Sequence, residues 1–229
     1  MSPGSAALLL GLALGTQHAF EPDHLAAVSV LNAETRSARH GMLLGALWGL
    51  GHSVSLVVVG TALALCAVPM PPALADVFEF AVALMLVVLG ISACVRAARH
   101  GQRGPRHQHS HAHVAHTHSG PPNHVHIGRW TFAMRPLIVG MVHGLAGSGA
   151  LTALVVSTLE TTGARVAFMS LFGLGSVLGM ATISGIASWP LARFTKDIGA
   201  TRWLSGAVGL CSTIYGVAWG WPIIERLMS

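Results

Sequence analysis

His18, Asp23 and His24 lie in the stretch GTQHAFEPDHLAAV, Gly15 to Val28, inside what otherwise reads as one apolar helix. Two imidazoles and a carboxylate are ligand groups for a transition metal. Their H-x4-D-H spacing does not suit an unbroken helix. At about 100° per residue, Asp23 falls about 140° and His24 about 240° round from His18, on three different faces. Pro22 resolves the conflict. It cannot donate to the His18 carbonyl and it clashes with the preceding turn, so the spacing predicts a helix broken near Phe20–Glu21. A break can turn all three side chains into one cavity, and the freed carbonyls then need a partner such as a cation or water. The structural alternative is a hydrogen-bonded polar network that pins the helices together.

Three more residues extend the set. His52 stands in GLGHS, and His143 in GMVHGLAG. Glu21, beside the proline, is placed as an outer acceptor or a ligand on the ion's way in. Several imidazoles with one carboxylate suit a late first-row divalent ion. Nitrogen-rich square-planar or tetragonal geometry points to Ni(II) or Cu(II). Each lone histidine could equally be a satisfied core residue. H-E-x-x-H, which an intramembrane metalloprotease requires, does not occur in the chain.

These residues sit in a chain that is 52% hydrophobic and 9% charged, with a mean hydropathy of +0.63. A soluble domain carries about 25% charged residues, so the deficit indicates a polytopic membrane protein. Six apolar runs approach the ~20 residues that cross a bilayer: Ser5–Leu31, Gly41–Leu65, Ala73–Val95, Pro136–Leu159, Val166–Trp189 and Trp203–Ile224. Polar groups within such runs face a protein interior or a water-filled path. The first run has no Lys or Arg before it and is not read as a secretory signal. Cys66, Cys94 and Cys211 stand singly and suggest buried thiols, with no thiolate metal site.

Of the 13 Lys and Arg residues, all but Arg165 and Arg226 fall at odd-numbered loops. The positive-inside rule then places those loops in the cytoplasm and both termini outside. The basic balance is thus a topology signal, and no nucleic-acid partner is expected. The third loop, RHGQRGPRHQHSHAHVAHTHSGPPNHVHIGR, carries His107, His109, His111, His113, His116, His118, His124 and His126 as well as His100. His-rich tracts bind transition metals. Lacking apolar periodicity, this one is expected to be disordered without a ligand and to gather metal on the cytoplasmic face.

The two halves resemble each other. A shift of 125 positions brings Gly15 onto Gly140 and His18 onto His143. With one residue of slippage, GLGHSV from Gly49 meets GLGSVL from Gly173, and Gly90 faces Gly216. Three spans per half put the second half upside down relative to the first, an arrangement typical of secondary transporters. The expected fold is therefore all-α. Six membrane helices form a three-plus-three inverted repeat, with the first helix, and the fourth at Gly147-Ser148-Gly149, broken near the midplane. Residues 1–95 would form the first repeat, 96–135 the His-rich linker and 136–229 the second repeat. His143, as the partner of His18, is expected to approach it.

HAFEPDHLAAV followed by GHSVSL on the next span resembles the nickel/cobalt transporter family (NiCoT or NicO), whose hallmark is H-x4-D-H followed by a Gly-His-Ser motif. Six spans and HGLAGSGALTALV look more like its shorter urease-associated branch. The resemblance implies a permease of the cytoplasmic (inner) membrane, not an enzyme. It would move Ni2+ or Co2+ with no cofactor beyond that ion, and His18, Asp23, His24 and His52 would be the metal-binding positions. Uptake is the first expectation. Export of the same ions, or carriage of Zn2+, is the alternative. Partners would be the ion, the lipid bilayer and cytoplasmic metallochaperones of urease or hydrogenase maturation.

Overall fold

The computed structural model describes residues 3–33, 35, 37–66, 70–99, 107–111, 114–118, 124–127, 130–159, 161–194 and 198–228. Seven helices are described: α1 (Pro3–His18), α2 (Pro22–Asn32), α3 (Ala38–Cys66), α4 (Pro72–Arg99), α5 (Met134–Thr158), α6 (Thr162–Phe194) and α7 (Ile198–Met228). Among the described residues, four helical segments are long and apolar enough to cross a membrane: Ala38–Leu63, Pro72–Arg99, Thr162–Pro190 and Gly199–Met228.

The first apolar run is divided between α1 and α2, and the proline explains why. Pro22 offers no N–H, so the His18 carbonyl accepts instead from the Glu21 N–H at 3.1 Å, and Phe20 N–H donates to Gln17 at 2.9 Å. These tight bonds close α1. They also give the Gln17 and His18 carbonyls protein partners in place of a cation or water. Pro22 then opens α2 at a position where its fixed φ helps and its missing N–H costs nothing.

The expected break in the fourth helix is not there. Helix α5 runs unbroken through Gly147, Ser148 and Gly149. Unlike proline, glycine keeps its N–H and can stay in the ladder, at a cost of about 1 kcal/mol relative to alanine.

The His-rich loop also differs from expectation. It carries two antiparallel ladders, β1 (His107–His111) with β2 (Val114–His118) and β3 (His124–Ile127) with β4 (Trp130–Ala133). In the first, His107 pairs with His118 and His109 with His116. The alternation of histidine with other residues has the period of a strand. His100, His113, Arg36, Arg103, Arg106, Arg129 and Lys196 lie outside the described residues.

Packing runs through paired contacts. Helix α3 lies against α5 and α6, α1 against α6, and α4 against α7. Helix α2 touches α3, α4, α6 and α7. Glycines set the closest approaches. A methyl group at Gly15 would strike the Phe172 carbonyl, and one at Gly140 would strike the Trp48 carbonyl. Gly175 meets the Leu12 carbonyl as Gly51 meets that of Leu137, and Gly216 meets Ala83 as Gly90 meets Gly209. In each comparison the two contacts relate positions 124 to 126 apart in the chain. Van der Waals contact must hold membrane helices together, which is why small residues occupy these places.

Gly140→Val should therefore cost about 1–3 kcal/mol, the usual penalty of overpacking, and should lower the thermal midpoint of the purified protein. Gly163, which has open space around it, is the control position. Equal midpoints for Gly140→Val and Gly163→Val would refute the close packing of α5 on α3.

Candidate metal site

Four segments bring the chemistry-bearing residues together. His18 is the last residue of α1, Asp23 and His24 fall in the first turn of α2, His52 lies midway along α3, and His143 lies on α5. The turn at Ala19–Glu21 reverses the phase problem of the continuous helix. The His18 and His24 rings lie 4.5 Å apart between centroids, with His52 at 5.1 Å from His18 and 5.2 Å from His24. His143 stacks 4.1 Å from His24 and lies 6.1 Å from His52.

The carboxylates sit behind the rings. Asp23 accepts from its neighbour His24 Nδ1 at 3.0 Å through Oδ1 and from His143 Nε2 at 2.7 Å through Oδ2, and the second bond links α2 to α5. Glu21 Oε1 lies 2.8 Å from His18 Nδ1. His143 lines the same cavity as His18. Its neighbours are Asp23, His24, Trp48 and His52. The repeat pairs His143 with His18 in sequence, and the carboxylate that His143 meets is that of Asp23 on α2.

His24, His52 and His143 are at most 2% exposed. Among the described residues, His18 Nε2, His24 Nε2, both ring nitrogens of His52 and His143 Nδ1 are buried with no hydrogen-bond partner. Buried polar atoms are normally satisfied, and each one left alone costs about 1–3 kcal/mol. So dense a group of unsatisfied nitrogens suits a ligand that accepts lone pairs. Two sets of ligand atoms lie within 4.8 Å of one another, from His18, His24 and His52 and from Asp23, His24 and His143.

A cavity of about 390 Å³ reaches the cluster, bounded by His18, Glu21, Asp23, His24 and His143 on one side and by Glu79, Tyr215 and Trp219 on the other. The last three, from α4 and α7, did not emerge from the sequence. Nor did Trp48. It is fully buried, with its ring 5.5 Å from His24 and 5.7 Å from His143. Its position four residues before His52, on the same helix face, was a legible signal. Of the loop histidines, His107, His109, His111, His116, His118, His124 and His126 lie on β1 to β3.

The chain is an integral membrane transport protein, with a cluster of histidine and aspartate side chains buried where its helices meet. Residues 5–195 match the model of the NicO family, described as high-affinity nickel-transport protein, and the chain belongs to that family. It is 31% identical over 210 residues to the urease accessory protein UreH of Bacillus sp. (strain TB-90), an alignment covering 92% of this chain and 88% of that protein. No solved structure matches the chain.

Proposed function

We propose that this protein takes up Ni2+ across the cytoplasmic (inner) membrane through the cluster of His18, Asp23, His24, His52 and His143. The observation that carries the proposal is the group of buried imidazole nitrogens with no partner. Membership of a nickel-transport family supplies the cargo. Co2+ fits the same nitrogen-rich donor set.

The architecture proposed is six spans in a three-plus-three inverted repeat, with α1–α2, α3 and α4 matched to α5, α6 and α7. Three pairs of glycine contacts related at 124 to 126 positions support it. So does the helix pairing, since exchanging the halves turns the α3–α5 contact into the α6–α1 contact. Such halves alternate access by rocking about a site near the midplane.

The basic loops set the orientation, with both termini outside and the His-rich loop in the cytoplasm. Glu79 lies seven residues into α4 and Trp219 nine before the end of α7. Both therefore stand towards the side with few Lys and Arg, and the cavity accepts an ion from outside. Imidazoles replace the water of the ion, the halves rock, and the ion leaves to the cytoplasm. Delivery to metallochaperones of urease maturation is supported by the description of the relative as a urease accessory protein.

Cells expressing the protein, grown in micromolar nickel, should hold several times more nickel than vector controls when assayed by mass spectrometry. Nickel below the control level would mean export and overturn the direction proposed. Deleting Gln108 to Val125 should leave uptake measurable and weaken it chiefly at low nickel, because the loop gathers ions without passing them. Complete loss of uptake in a correctly inserted deletion protein would put the loop on the path.

A further inference from the structure

The two sets of ligand atoms share His24, so they compete for it, and the hydrogen bonds decide between them. A carboxylate only accepts, so the nitrogens facing Asp23 and Glu21 must each carry a proton. Those nitrogens are His24 Nδ1 at 3.0 Å, His143 Nε2 at 2.7 Å and His18 Nδ1 at 2.8 Å. A protonated ring nitrogen has no lone pair for a metal. In each neutral imidazole the lone pair then belongs to the opposite atom: Nε2 of His24, Nδ1 of His143 and Nε2 of His18. These are the buried atoms without partners.

We infer that His18, His24 and His52 bind the ion through three ring nitrogens, while Asp23 and Glu21 act as positioning residues that fix the tautomers from behind. The inference rests on the reading of this cluster as the nickel path, and it removes Asp23 from the direct ligands. Asp23 lends its charge to the ion through the His24 ring. It also ties α2 to α5, which belong to different halves, through His143. Three neutral donors leave further coordination positions open to water in the cavity. That keeps the ion exchangeable, as a carrier requires.

The test uses the purified full-length protein in detergent. Wild type is titrated first with Co2+ and Ni2+; failure to bind either with one ion per chain would sink the proposed function itself. In wild type with Ni2+ bound, the multiple-scattering pattern of X-ray absorption should count three imidazoles. A count of two, as a site of Asp23, His24 and His143 demands, would overturn the inference. Asp23→Asn and Glu21→Gln should keep the wild-type Co2+ visible bands while binding about 10- to 100-fold more weakly, the usual cost of losing an outer partner. His24→Ala should change the bands. Shifted bands in Asp23→Asn, or no binding by that folded variant at a thousand times the wild-type Kd, would mark Asp23 as a direct ligand. The imidazole count in wild type decides the matter even if Asp23→Asn fails to fold.

Discussion

His52→Leu should reduce nickel accumulation to the vector level while leaving the metal-free protein as stable as wild type, or more so. Among the described residues neither ring nitrogen of His52 has a hydrogen-bond partner, and the side chain is fully buried. Its unpartnered nitrogens carry a desolvation cost, and an apolar residue of similar size removes that cost while still filling the space beside His18 and His24. As an ion donor it is essential, so its loss should exceed the roughly 10–100-fold effect of an outer partner. Nickel at about 100 times its Kd should stabilise wild type by about 2.7 kcal/mol through mass action, and the variant not at all. Thermal unfolding with and without nickel, read beside accumulation, checks both halves of this. A destabilised His52→Leu protein that still accumulated nickel would mean that His52 serves packing alone.

Trp48→Ala should give the largest loss of stability of any single change near the site. Trp48 is fully buried, and its backbone carbonyl is pressed against Gly140. Emptying so large a volume costs about 3–5 kcal/mol, a large share of the 5–15 kcal/mol that holds a typical domain folded. The ring also backs His24 and His143, so the fraction that folds should transport poorly. Trp48→Phe, which keeps an aromatic wall, should retain most of both properties. Equal thermal midpoints for Trp48→Ala and wild type would contradict the packing described.

Much of the site could be read from the sequence because polar groups are so costly inside an apolar helix that each one draws attention. Pro22 announced the turn between α1 and α2 by the same logic, since a residue without an N–H must interrupt the ladder. Legibility ended where tertiary docking takes over. The contacts of His143 with Asp23 and His24 do not follow from its repeat pairing with His18, because position along a repeat fixes neither helix rotation nor rotamer. Gly147 and Gly149 suggest a break, yet glycine permits a break without imposing one, and α5 runs on through both. Glu79, Tyr215 and Trp219 line the cavity from helices with no ligand motif, so only the fold could bring them there.

The central claim is that the buried imidazole cluster carries nickel across the membrane. Its most direct test is radioactive nickel flux into liposomes containing only the purified wild-type protein or His24→Ala. The account predicts saturable entry with wild type and entry no faster than protein-free liposomes with the variant. Equal rates for the two proteins would contradict it.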